Sequence, residues 1–195
     1  MTQPRSKQLI LAAMMAALGN ILSFLSIQLA PFMPNIPVGP IQVSLALDLS
    51  HLATFIAALM GGPLVGGLTG LVGGSIAAFE FGFSQGNIIT GFGLPLGKAL
   101  TGVAAGYLFS RIVPESTGKG VLGTALSYIP EAVLTLLLFR FLLPIYVSMD
   151  LVGMFTLLGV QIVVKAFFEM AILGFLLVSI NKNSGFQSYK NSYFN

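Results

Sequence analysis

A succession of long apolar runs, with almost nothing charged between them, constrains this chain more than any other feature. The run Val163–Ile180, VVKAFFEMAILGFLLVSI, also carries Lys165 and Glu169 one helical turn apart. One helical crossing of a hydrocarbon core takes roughly 20 apolar residues. The chain has 195 residues, which leaves room for about six crossings. Charged residues make up 8% of it and hydrophobic ones 55%, whereas a soluble domain carries roughly 25% charged residues. That polar fraction is too small to cover a globule in water. The apolar runs are continuous rather than alternating, which argues against a β-barrel. The expected class is an all-α membrane protein, a single integral membrane domain of six transmembrane helices over residues 1–195.

The spans are read at about 8–30, 46–60, 63–80, 94–112, 121–146 and 152–180, with a polar, frayed tail at 181–195. The first run follows Arg5 and Lys7, as in a secretion signal. It is long and ends in no small-x-small cleavage site, so it reads as a retained span. Pro31, Pro34, Pro37 and Pro40, three apart, favour an extended loop after it. Gly61–Pro63 (GGP) stops the short second span. Cytoplasmic loops collect Lys and Arg. With both termini cytoplasmic, Arg5, Lys7, Arg111, Lys119, Lys182 and Lys190 all fall inside, and the outer loops hold none of the nine basic residues. The expected location is a cell membrane, crossed several times.

Four charged residues lie well inside spans: Lys98, Glu131, Lys165 and Glu169. Counted along the helices they stand about 15–23 Å above the inner surface. One charge at mid-bilayer costs about 2.5–3.5 kcal/mol to insert. Four facing lipid would cost on the order of 10 kcal/mol, comparable with the stability of a whole fold. They are expected to face one another or water, so that spans 4 to 6 enclose a polar interior. That interior is either a structural ion-pair network or a binding cavity. Gln161, Arg140 above Glu131, and Asn87 in the loop before span 4 are further candidates for its wall. Asp48 and His51 read as a helix cap and its solvated neighbour.

Two small-residue stripes recur at intervals of four, which places them on one helix face. Gly62, Gly66, Gly70 and Gly74 suit internal packing of span 3, because helices in lipid associate by close approach over small residues. Ala12 and Ala16, with Ala13 and Ala17 beside them, suit either internal packing or a partner helix. No catalytic constellation is visible. GFGLPLGKAL at Gly91–Leu100 fails as a phosphate loop, since five residues separate Gly91 from Gly97 and Ala99 lacks the hydroxyl that binds Mg²⁺. With no cysteine and one histidine, thiolate and His-rich metal sites are excluded. No basic block points to nucleic acid, and no cofactor is implied.

LILAAMMAALGNILSFL in span 1, LDLSHLATFIAALMGGPLVGGLTGLVGG across spans 2 and 3, and the six-span layout together resemble the S components of energy-coupling factor (ECF) transporters of prokaryotes. The resemblance covers nearly the whole chain. It implies a subunit that captures a vitamin-like or micronutrient molecule from outside. It also implies docking on a transmembrane coupling subunit driven by two ATPase subunits, with membrane lipid around it. Docking would use the small residues Ala12, Ala13, Ala16 and Ala17. Substrate would lie in the outer half near Lys98, Arg140, Gln161 and Lys165, under a lid formed by loop 31–40, with Glu131 and Glu169 deeper. Two lysines and an arginine against two glutamates favour a ligand bearing a carboxylate or phosphate. The competing readings are a self-contained carrier or channel, and a membrane enzyme using Glu131 or Glu169 as base.

Overall fold

The computed structural model describes residues 5–38, 41–44 and 47–193. They are nearly all helical: α1 (Arg5–Leu29), α2 (Ser50–Gly73), α3 (Ser75–Phe81), α4 (Ile88–Phe109), α5 (Thr117–Leu137), α6 (Leu143–Tyr146), α7 (Val152–Lys182) and α8 (Ser184–Tyr193). Five stretches are long and apolar enough to cross a membrane: Arg5–Phe32, Ser50–Gln85, Ile88–Phe109, Thr117–Tyr146 and Met149–Lys182. Their outward faces stay apolar, with Ile21, Phe79, Phe92, Ile145 and Phe168 all exposed.

The Gly-Gly-Pro signal acts inside α2. Gly62 has φ 77° and ψ −164°, a conformation open to glycine but strained for other residues. Pro63 follows, where its missing N–H is no loss. The chain doubles back there. A Cβ placed on Gly66 would lie 2.8 Å from Cβ of Ala58, although eight residues of straight helix span about 12 Å. The first arm of α2, up to Gly61, therefore lies against the second, from Pro63 onward.

The second arm then packs against α4 backbone to backbone. Gly66 meets the carbonyl of Gly102, Gly70 that of Lys98, Gly74 the Cα of Pro95, and Gly106 meets Gly62 and Pro63. Each step of about four along α2 is matched by one of about four back along α4, as antiparallel helices in close contact require. α1 lies on the other side of this arm. Gly73 touches Ala16, and Thr69 Oγ1 donates to the carbonyl of Ala12 at 3.4 Å. α5 and α7 close the bundle where Gly174 meets Gly120 and Val121.

Two segments differ from the sequence expectation. Beyond a 3-10 turn at Ala30–Phe32, the proline-spaced loop forms an antiparallel hairpin, β1 (Asn35–Val38) with β2 (Ile41–Ser44), Asn35 opposite Ser44. Residues 39 and 40 of that loop lie outside the described residues. β2 lies against α7. The tail is not frayed up to Tyr193: it forms α8, with Phe186 packed on the core and Tyr193 Oη donating to the carbonyl of Lys7 at 3.2 Å. Phe186 and Tyr193 packing on the core, together with the bonds of Gln187 to Asn181 and of Tyr193 to Lys7, hold a segment that composition alone marks as polar.

The glycine seam makes a direct prediction. Gly70→Ala drives a Cβ into the Lys98 carbonyl and should cost about 1–3 kcal/mol, the usual range for overpacking. Gly118→Ala has open space around it and should be near neutral. Thermal unfolding of the two variants in detergent checks this, and equal melting temperatures would refute the seam.

Candidate functional site

Four helices each present a stripe at intervals of three and four to one cavity of about 450 Å³. α1 supplies Ser23, Ser26 and Ile27, and the 3-10 turn after it Ala30. α4 supplies Thr90, Gly93, Leu94, Gly97 and Lys98. α5 and its extension supply Tyr128, Glu131, Thr135, Leu138 and Phe139. α7 supplies Ile162, Lys165, Ala166 and Glu169. That spacing puts each set on one helix face. Asp48 and His51, at the start of α2, complete the polar side.

The charges are paired across the chain. Lys98 Nζ lies 2.8 Å from Asp48 Oδ2 and donates to Ser50 Oγ as well. Asp48 Oδ1 accepts from Ser50 N at 3.0 Å and from Ser50 Oγ at 2.6 Å. The Asp48 N–H donates to Glu169 Oε1 at 3.0 Å, and the same oxygen lies 3.0 Å from Lys165 Nζ. Glu131 Oε2 accepts from Thr101 Oγ1 at 2.6 Å and stands 3.1 Å from His51 Nε2. Tyr128 meets the His51 ring edge-on at 6.2 Å between centroids. Burial opposes the charge on Asp48, but Lys98, His51 and Ser50 outweigh it and hold the carboxyl below the ordinary carboxylate range.

Lys98, Glu131, Lys165 and Glu169 therefore meet in one polar cavity. The partners differ from those expected of spans 4 to 6 alone. Lys98 is 3% exposed, and its counter-ion is Asp48 rather than a glutamate of a later helix. Asp48 accepts from the Ser50 N–H, but the cap position of α2 is Leu49 and carries no side-chain cap; Asp48 instead lines the cavity, and its neighbour His51 is buried rather than solvated. These two are the site residues that the sequence reading assigned elsewhere. The signal was Asp48 and His51 on one face, three apart, opening an unusually short apolar span.

Three expected wall residues lie off the cavity lining. Arg140 is exposed, its guanidinium 5.7 Å from the Phe141 ring. Nine residues from Glu131 is two and a half turns, the opposite helix face. Asn87 is the N-cap of α4, its Oδ1 accepting from the N–H groups of Ile89 and Thr90 at 3.1 Å each, a preferred role for Asn. Gln161 is half-buried on α7 beside the lining stripe. The small residues of α1 divide as well. Ala12 and Ala16, 5% and 1% exposed, are spent on packing within the chain, while Ala13 and Ala17 face outward. A partner-docking role for Ala12 and Ala16 gives way to packing against the second arm of α2.

Comparison with known proteins agrees with this architecture. The family model "ECF transporter, substrate-specific component" matches residues 7–180. A solved structure of the S component of a bacterial ECF transporter has the same fold, with a TM-score of 0.59 and 20% sequence identity, covering 92% of this chain and 95% of that one. No curated protein sequence matches the chain. With nearly its whole length matched by the family model, the chain belongs to the substrate-specific component family of ECF transporters.

Proposed function

We propose that this chain is the capture subunit of an ECF-type importer in a prokaryotic cell membrane. It takes a small vitamin-like or micronutrient molecule from outside and docks on a transmembrane coupling subunit driven by two ATPases. The observation that carries the reading is the cavity of about 450 Å³, a size suited to a small molecule, walled by ionised side chains that cost too much to bury without use or pairing. Counting the two arms of α2 separately gives six crossings, which suits two termini on one side. The contact between Tyr193 and Lys7 supports this, and the basic loops favour the cytoplasm for that side. The cavity then faces outward, since it is lined by the late turns of α1 and the start of α2. On this reading the β1–β2 hairpin after α1 serves as its lid.

Docking on the coupling subunit falls to the outward stripe of α1. Ala13→Leu or Ala17→Leu should abolish uptake in liposomes containing the assembled transporter, while ligand still co-purifies with the variant. Ala16→Leu should instead lower the melting temperature, because it overfills the contact with Gly73. Normal uptake by both outward variants would refute docking at this stripe. Uptake by the chain alone, without ATPases, would refute the capture-subunit reading and favour a self-contained carrier.

The charged wall has its own test. Lys98→Met removes the nearer counter-ion of Asp48, leaving His51 Nδ1 at 3.7 Å, and should cost about 2 kcal/mol or more, at the low side of the buried-pair range because Asp48 is partly open to the cavity. The double variant Asp48→Asn/Lys98→Met should recover most of that stability. If the pair also serves capture, ligand occupancy measured by mass spectrometry stays low in the double variant. Full occupancy there would make the pair purely structural.

A further inference from the structure

The charge balance of the cavity reverses once the three-dimensional partners are known. Arg140 is outside and Asp48 inside, so three carboxylates, Asp48, Glu131 and Glu169, face two lysines, Lys98 and Lys165. Both lysines are already engaged, Lys98 by Asp48 and Ser50, Lys165 by Glu169. Glu131 is the carboxylate left over. Its hydrogen bonds, from Thr101 and His51, both go to Oε2, and among the described residues none is made to Oε1. Glu131 is 6% exposed and lines the cavity. Gly97 lies against its side chain: a Cβ there would come within 2.9 Å of Glu131 Cγ, so the glycine makes room for Glu131 itself. Much of the remaining wall is apolar: Phe81, Leu94, Leu138, Phe139 and Ile162.

Resting on the capture reading above, we infer that the ligand carries no net negative charge and presents an N–H or O–H donor to Glu131 Oε1, with an apolar body against the apolar part of the wall. That oxygen is open to the cavity, so a ligand that displaces water from it must supply a donor in its place. A ligand donor restores the missing hydrogen bond, and a cationic one also balances the third carboxylate. An anion does neither. It would enter a low-dielectric space where each cation is already neutralised and the spare charge is negative. A protonated His51 brings the set only to neutrality, so it supplies no attraction for an anion either. Thr101 and His51, both bonded to Oε2, act as positioning residues that hold the carboxylate so that Oε1 is presented.

The test is native mass spectrometry of the full-length protein kept in its own membrane lipids, followed by extraction and ion-exchange of whatever small molecule is bound. The expected result is a neutral or cationic compound bearing an N–H or O–H group. Recovery of a carboxylate or phosphate anion overturns the inference and leaves the capture reading standing. Recovery of no small molecule overturns both. The extracted compound is then returned to Glu131→Gln, which keeps the shape of the side chain. Losing a charge-assisted hydrogen bond should weaken binding about tenfold or more, more severely for a cationic compound than for a neutral one. Unchanged binding in a folded Glu131→Gln protein overturns the inference. If that variant does not fold, the charge of the wild-type ligand decides alone.

Discussion

A cation held inside hydrocarbon has to be neutralised where it stands, and the ion pair between Lys98 and Asp48 is where this chain meets that demand. The pair is not a local one. Lys98 lies mid-helix in α4, while Asp48 closes the segment that leads from the hairpin into α2. Forming it requires the chain from Leu47 to Ser50 to sit beside α4, and Ser50 finishes the arrangement by bonding both partners. The Asp48 N–H then reaches across to Glu169 on α7. One short stretch thereby ties together α2, α4 and α7, and the cavity lies among them.

That stretch can reach its partners only because the helices beneath it approach so closely. The carbonyl of Lys98 rests on Gly70, and the flanking contacts Gly66–Gly102 and Gly74–Pro95 hold the same register. Lipid supplies no hydrophobic drive for this association, so contact between bare backbones takes its place. The seam fixes the height of the Lys98 side chain relative to the start of α2. A lysine one turn higher or lower would miss Asp48 and bear the insertion cost alone. Small residues on one helix face thus determine where a charge on the next helix is tolerable.

The parts legible in the sequence were those in which one helix carries its own explanation. Glu131, Lys165 and Glu169 stand out because an ionised group within an apolar run is costly wherever it points, and the Gly-Gly-Pro break reads directly as a reversal. Asp48 and His51 were hidden because the start of a helix is an ordinary place for both. The first arm of α2, Ser50 to Gly61, gives only about 18 Å of helix against about 30 Å of hydrocarbon. Its first turn therefore lies deeper than a cap normally does. Arg140 was misjudged by angle rather than by depth. For Ala12 and Ala13, adjacent on one helix, only the position of α2 decides which face turns inward, and nothing in α1 itself records it.

The distribution of unsatisfied polar atoms bears on what the cavity is for. Among the described residues, His51 Nδ1 is the one buried side-chain nitrogen or oxygen without a hydrogen-bond partner. Its other ring nitrogen is bound to Glu131, the residue whose Oε1 also makes no hydrogen bond. The two positions differ in kind: His51 Nδ1 is closed off and looks toward Asp48 Oδ2 at 3.7 Å, whereas Glu131 Oε1 is open to the cavity. A buried atom such as His51 Nδ1 costs about 1–3 kcal/mol when left unmatched, and its nearest acceptor is Asp48 Oδ2. A purely structural network would have closed on itself, as Lys98, Asp48 and Ser50 do. The His51–Glu131 pair instead leaves Glu131 Oε1, open to the cavity, without a protein donor.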